Sequence, residues 1–189
     1  MVLGLLGGIF DPSIKYLYDS SKGLDVIGDW QIINQSNASL SVSKTSDKQL
    51  VFKNTSDVTS YCYGCFRNKT PIDVRGYSYL YIHCVKSYFY TTEYDAAQHA
   101  NKIRLYKNPD LSNDGYTNNS ALSAEEAGFF NGTFVSGTAK SYLGTVENFT
   151  IEMNISSLNS SDNFRMIGTI GPSNSYMQID KIYLSRYKL

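Results

Sequence analysis

Short stretches in which apolar and polar residues alternate, separated by turn-forming residues, run along most of the chain. Residues 39–43 (SLSVS) and 49–53 (QLVFK) flank Ser46-Asp47-Lys48, which predicts a hairpin. Residues 77–90 (YSYLYIHCVKSYFY) make the longest apolar and aromatic run. The run holds no Gly or Pro and is rich in β-formers, so it predicts a central strand. Alternation puts Leu80, Ile82 and Cys84 on one face, and Tyr79, Tyr81, His83 and Val85 on the other. Residues 147–155 place Phe149, Ile151, Met153 and Ile155 together, and 176–187 predict a closing strand with Met177, Ile179, Ile182 and Leu184 in the core. Shorter strands are expected at 14–18, from 29 to 33, at 60–67, at 102–106, within 129–143 and at 164–170. Residues 19–28, 70–76, 108–119, 156–163 and 171–175 read as loops and turns. Weak helical character is confined to 91–100 and to 120–128, where Ser123 precedes Glu125 and Glu126. About eight to ten short strands with no α–β alternation predict an all-β fold. The expected architecture is an antiparallel β-sandwich, jelly-roll-like, over residues 14–189, preceded by a short apolar N-terminal extension at 1–13.

Composition sharpens this reading. A chain of 189 residues is one domain by size. Its 16 Tyr and 9 Phe, against 18% charged residues, suit strands better than helices or disorder. Lys+Arg and Asp+Glu are 17 each, so the formal net charge is zero and no basic field for nucleic acid is expected.

The first ten residues (MVLGLLGGIF) carry no charged side chain. The run is too short to span a bilayer, which takes about 20 apolar residues, and lacks the basic start of a signal peptide. We expect it to anchor the chain to a partner through Val2, Leu3, Leu5, Leu6, Ile9 and Phe10, with no membrane span. Nine N-x-S/T sequons occur, at Asn34, Asn37, Asn54, Asn68, Asn118, Asn131, Asn148, Asn154 and Asn159. They either mark a glycan coat or follow by chance from an Asn/Ser/Thr-rich composition suited to turns; the second reading is the simpler one.

Candidate chemistry is sparse. Cys62 and Cys65 form a C-x-x-C, but in strand-like surroundings rather than at a helix start. A zinc site would have to recruit Cys84 and His83 or His99, without a second paired motif. Buried free thiols are therefore expected, and no metal. His83 and Cys84 are strand neighbours on opposite faces and cannot work as a base and nucleophile pair. No nucleophile elbow, phosphate loop or zinc-protease motif is present. The carboxylate pairs Glu93/Asp95 and Glu125/Glu126, and the loop residues Asp110, Asn113 and Asp114, read as solvated loop groups rather than as a glycosidase or calcium site. Neither an enzyme nor a cofactor is expected. Tyr88, Tyr90 and Tyr94, at the end of the central strand, are the candidates for stacking on a sugar ring.

Two stretches carry a resemblance. The first is Asp73-Val74-Arg75-Gly76-Tyr77-Ser78-Tyr79-Leu80-Tyr81-Ile82. The second is the ending, from Phe149-Thr150-Ile151-Glu152-Met153-Asn154-Ile155 through Ile167-Gly168 to Ile179-Asp180-Lys181-Ile182-Tyr183-Leu184. With Leu17-Tyr18-Asp19 and Gly28-Asp29-Trp30, they resemble β-sandwich domains of phage tail, baseplate and fibre proteins, which look like jelly-roll carbohydrate-binding modules. The resemblance implies a virion structural protein: a head fibre, decoration, or tail or baseplate component on the particle surface. It would contact other capsid or tail proteins through its N-terminus and form a homo-oligomer such as a trimer. The alternative is a carbohydrate-binding module for host-surface glycans.

Overall fold

A computed structural model describes residues 13–36, 39–56, 63–89, 102–106, 129–131, 133–136, 144–156, 165–170 and 174–189. They form thirteen strands and one 3-10 turn. The strands are β1 (Ile14–Asp19), β2 (Leu24–Asp25), β3 (Trp30–Ser36), β4 (Leu40–Lys44), β5 (Leu50–Asn54), β6 (Tyr63–Asn68), β7 (Tyr79–Phe89), β8 (Lys102–Tyr106), β9 (Phe129–Asn131), β10 (Thr133–Ser136), β11 (Gly144–Asn154), β12 (Arg165–Ile170) and β13 (Tyr176–Ser185). All pairings are antiparallel.

Two sheets result. The larger runs β10-β11-β7-β13-β1-β2, and β5, with β4 beyond it, pairs with β13 next to β1. The smaller runs β3-β6-β12-β8-β9. Strand β13 is shared lengthwise: its first half meets β5 and its second half meets β1. The sheets pack face to face. Phe52 of the larger sheet stacks on Phe66 of the smaller, with ring centroids 3.8 Å apart, and Trp30 meets both rings edge-on. Leu80, Ile82, Cys84, Ile151, Met153, Met177, Ile179, Ile182 and Leu184 fill the rest of this layer. The protein is an antiparallel β-sandwich, as the alternation pattern predicts.

The predicted hairpin forms between β4 and β5, with Lys48 at φ +59. The region read as one strand within 129–143 contains two: β9 joins the smaller sheet through β8, and β10 joins the larger through β11. The segment read as a loop at 19–28 includes the 3-10 turn Ser20–Lys22 and β2. Asp19 begins that turn, accepting hydrogen bonds from the Ser21 amide (3.1 Å) and hydroxyl (2.6 Å). Loops also supply core: Ile27, Ile72 and Val74 are buried without any strand alternation to mark them.

The alternation along β7 breaks once. Gln178 pairs with Lys86 and Ile179 with Cys84, leaving Val85 extra on β7. Ile179 pairs with Cys84 and Lys181 with His83, leaving Asp180 extra on β13. Opposite Val85 on β11, Asn148 takes φ +50. This paired bulge exchanges the faces of β7. Before it, Tyr79, Tyr81 and His83 face away from the core, as expected; after it, Lys86 and Tyr88 do, and Ser87 is buried.

Among the described residues, two of the sequon asparagines are structural. Asn54 is fully buried and its Oδ1 accepts from the amides of Ser39 and Ser56, both at 3.1 Å. Asn68 is also fully buried and donates to the Thr70 carbonyl. Asn148 and Asn154 are exposed.

The fold gives two stability predictions. Phe52→Ala is expected to cost about 3–5 kcal/mol, because it empties the contact that joins the sheets. Gly28 lies at φ +71, and a Cβ there would sit 2.6 Å from the Thr70 hydroxyl oxygen, so Gly28→Ala is expected to cost about 1–3 kcal/mol. Urea unfolding of both variants checks this; a loss under about 1 kcal/mol for Phe52→Ala would refute the packing argument.

Candidate functional site

The outward face of the larger sheet carries most of the polar and aromatic chemistry among the described residues. Register sorts it into rows that cross the strands. One row runs Glu152 (β11), Tyr81 (β7), Tyr183 (β13), Tyr16 (β1). Tyr81 and Tyr183 stack at 5.3 Å and 22°, Tyr183 and Tyr16 meet at 5.4 Å and 46°, and Tyr79 stacks on Tyr81 at 6.1 Å. The Lys22 ammonium lies 4.4 Å from the Tyr16 ring centre. Tyr81 donates to Glu152 Oε2 at 3.0 Å and accepts from the Leu189 amide at 2.9 Å.

A second row runs Thr145 (β11), Tyr88 (β7), Tyr176 (β13), Lys53 (β5). Tyr88 and Tyr176 are half-buried and stack at 6.1 Å and 27°. The two rows are seven residues apart on β13, roughly 20 Å along an extended strand. Hydrogen-bonding groups fill the space between. Gln178 donates to Gln49, and Lys86 pairs with Glu147 at 2.9 Å, which raises the Lys86 pKa. At the bulge, His83 Nδ1 lies 2.5 Å from Asp180 Oδ1.

An aspartate-held imidazole is the orienting half of a hydrolase triad. Across the strands from His83 stand Thr150 of β11 and Lys181 of β13, and the imidazole's side-chain hydrogen bond goes to Asp180. The Cys84 thiol points into the core, is fully buried, and has its pKa pushed far up by burial, so it is no nucleophile. Among the described residues no group of three His, Cys, Asp or Glu side chains is placed to hold a metal ion. No helix among them is long and apolar enough to cross a membrane.

Of the residues singled out from sequence, Tyr88 lies on this face, brought there by the bulge. Tyr90, Tyr94 and the N-terminal set Val2, Leu3, Leu5, Leu6, Ile9 and Phe10 lie outside the described residues, as do Cys62 and His99. Sequence reading missed Tyr176, the partner of Tyr88, which stood only as the start of the closing strand. It also missed the row through Tyr16 and Tyr183. Cross-strand partners are long-range, and nothing local to Tyr176 points to residue 88.

No protein-family model matches the chain, and no curated protein matches it by sequence. Solved structures with a similar path include three family 29 carbohydrate-binding modules. One is a module from Piromyces equi, 13% identical, covering 92% of this chain and 90% of its own, at a TM-score of 0.37. A second is a point mutant of a family 29 module, 10% identical over 92% and 91%, at 0.42. The third is a mutant of CBM29-2 complexed with cellulohexaose, 10% identical over 93% and 94%, at 0.43. At this distance the ligand of the present chain has to be argued from its own residues.

The Tyr81 phenol, ordinarily near 10, is pushed up to about 12, first by burial and then by the Glu152 carboxylate, which outweigh the lowering contact from the Leu189 amide. Burial also raises Tyr18 and Tyr183. An unfolded chain therefore releases these protons first, and stability present below pH 10 is lost as pH rises toward 12. Absorbance at 295 nm during alkaline titration should show a late-ionising tyrosine that Tyr81→Phe removes. A single titration near pH 10 that Tyr81→Phe leaves unchanged would contradict the burial of this phenol.

Proposed function

We propose that the protein is a carbohydrate-binding module without catalysis of its own, holding a glycan on the outward face of its larger sheet. The observation that carries this reading is the Tyr88–Tyr176 stack, an outward aromatic pair bordered by Lys53, Lys86, Gln178 and Gln49. A tyrosine ring is apolar on its faces and polar at its tip. Such rings suit the apolar C–H face of a pyranose, while amide, ammonium and carboxylate groups beside them suit its hydroxyl rim. The alternating rows, about 20 Å apart, suit an extended oligosaccharide better than a single sugar.

A virion-surface setting, with residues 1–13 as anchor, is proposed on the sequence resemblance alone. Deleting residues 1–13 and measuring co-sedimentation with purified phage particles tests that setting separately.

For the glycan reading, wild type and Tyr88→Ala/Tyr176→Ala are compared on a panel of oligosaccharides by calorimetry, after a check of folding by circular dichroism. The expected result is binding by wild type and a loss of at least about tenfold, or 1.4 kcal/mol, in the double variant. Equal affinity of the two proteins, or no binding of any oligosaccharide by wild type, would sink the proposal.

A further inference from the structure

We propose that Glu152 and Tyr81, together with Tyr79 and Tyr183, form a second subsite on this face, specific for a sugar bearing a free amine, and that residues 186–189 of the chain occupy it in this structure. The proposal rests on the glycan reading above and names a ligand class for another part of the same face.

Tyr81 and Glu152 point away from the core by register, since their neighbours Leu80, Ile82, Ile151 and Met153 are all core. Yet Tyr81 is 2% and Glu152 8% exposed. The cover is the segment 186–189 of this chain. Ser185 turns it back, its hydroxyl donating to the Tyr187 carbonyl at 2.7 Å and accepting from the Tyr187 amide at 3.2 Å. The Arg186 amide donates to the Ser13 carbonyl at 2.9 Å. Lys188 Nζ then lies 3.3 Å from Glu152 Oε1, and the Leu189 amide donates to the Tyr81 hydroxyl at 2.9 Å.

The occupant reveals what the subsite accepts: an ammonium at the carboxylate and an N–H at the phenol oxygen. It is also held loosely. Tyr187 and Leu189 are 68% and 60% exposed, so the cover buries little apolar surface of its own. The Lys188 side chain is 65% exposed, and ion pairs of that kind are weak. A ligand that supplies its own ammonium to Glu152 and lays a ring face on Tyr183 or Tyr79 satisfies the same carboxylate and adds a stacking contact. A protonated aminosugar has both features; its N-acetylated counterpart has the ring but not the charge.

The test is calorimetry at pH 6 with a glucosamine oligosaccharide and its N-acetylated counterpart, using wild type, Lys188→Ala and Lys188→Ala/Glu152→Gln. Lys188→Ala is expected to bind the amine form about three- to fivefold more tightly than wild type does, with no gain for the acetylated form. Glu152→Gln should erase the gain. Should that variant not fold, high salt must erase it instead. Equal affinity of Lys188→Ala for the two oligosaccharides, or a gain that survives both Glu152→Gln and high salt, overturns the proposal. Should oligosaccharides bind at Tyr88–Tyr176 without any amine preference in Lys188→Ala, this inference alone falls. Should no oligosaccharide bind any form, the glycan reading falls with it.

Discussion

The register slip between β7 and β13 is the constraint on which the outward face depends. In a flawless ladder, Tyr88 would share a face with Leu80, Ile82 and Cys84 and would be buried. The extra residues Val85 and Asp180, with Asn148 at φ +50 beside them, reverse that assignment halfway along β7. The second half of the strand then presents Lys86 and Tyr88 to the same side as Tyr79, Tyr81 and His83. The same slip brings Asp180 to His83. A bulge of this kind also bends and twists the strands that carry it, so the two aromatic rows sit on either side of a change in sheet direction.

Around that slip, buried polar groups are matched rather than avoided. Asp19 is almost fully buried and is held ionised: burial works against it, but hydrogen bonds from Ser21 and the Lys22 ammonium at 3.4 Å outweigh burial and lower its pKa. Its contribution to stability is therefore present at neutral pH and fades as pH falls through its folded value. Tyr18, a core residue, sends its hydroxyl to the Lys48 carbonyl, tying β1 to the β4–β5 turn. Asn54 and Asn68 do similar work for loop amides and carbonyls. The buried indole nitrogen of Trp30 and Nε of Arg67 are the exceptions among the described residues, each without a hydrogen-bond partner.

Much of this was legible in the sequence. Period-two alternation at 39–53, 77–84 and 149–155, and the apolar positions 177, 179, 182 and 184, marked strands of the larger sheet and residues they bury. The sandwich followed from many short strands between turns. What the sequence concealed has physical causes. A bulge is one residue, and the run 77–90 is apolar enough on both sides that a slip leaves no trace in its pattern. Ile27, Ile72 and Val74 lie in irregular segments, where burial has no period to reveal it. Tyr88 was a visible candidate because it sits in an aromatic run. Tyr176 became one only through a pairing 88 residues away in sequence, and Glu152 only through what folds back over it.

Asn54 and Asn68, two buried sequon asparagines, have a consequence for how the chain can be made. Oligosaccharide transfer to asparagine acts on accessible chain, and Asn54 and Asn68 are accessible only before folding. Each uses its amide inside the fold, so a sugar attached to either during synthesis would leave the protein unable to close over it. A host whose secretory pathway modifies nascent chains would thus divide the product into a folded, unmodified fraction and a trapped, modified one. Asn148 and Asn154, exposed on β11, carry no such conflict between modification and folding.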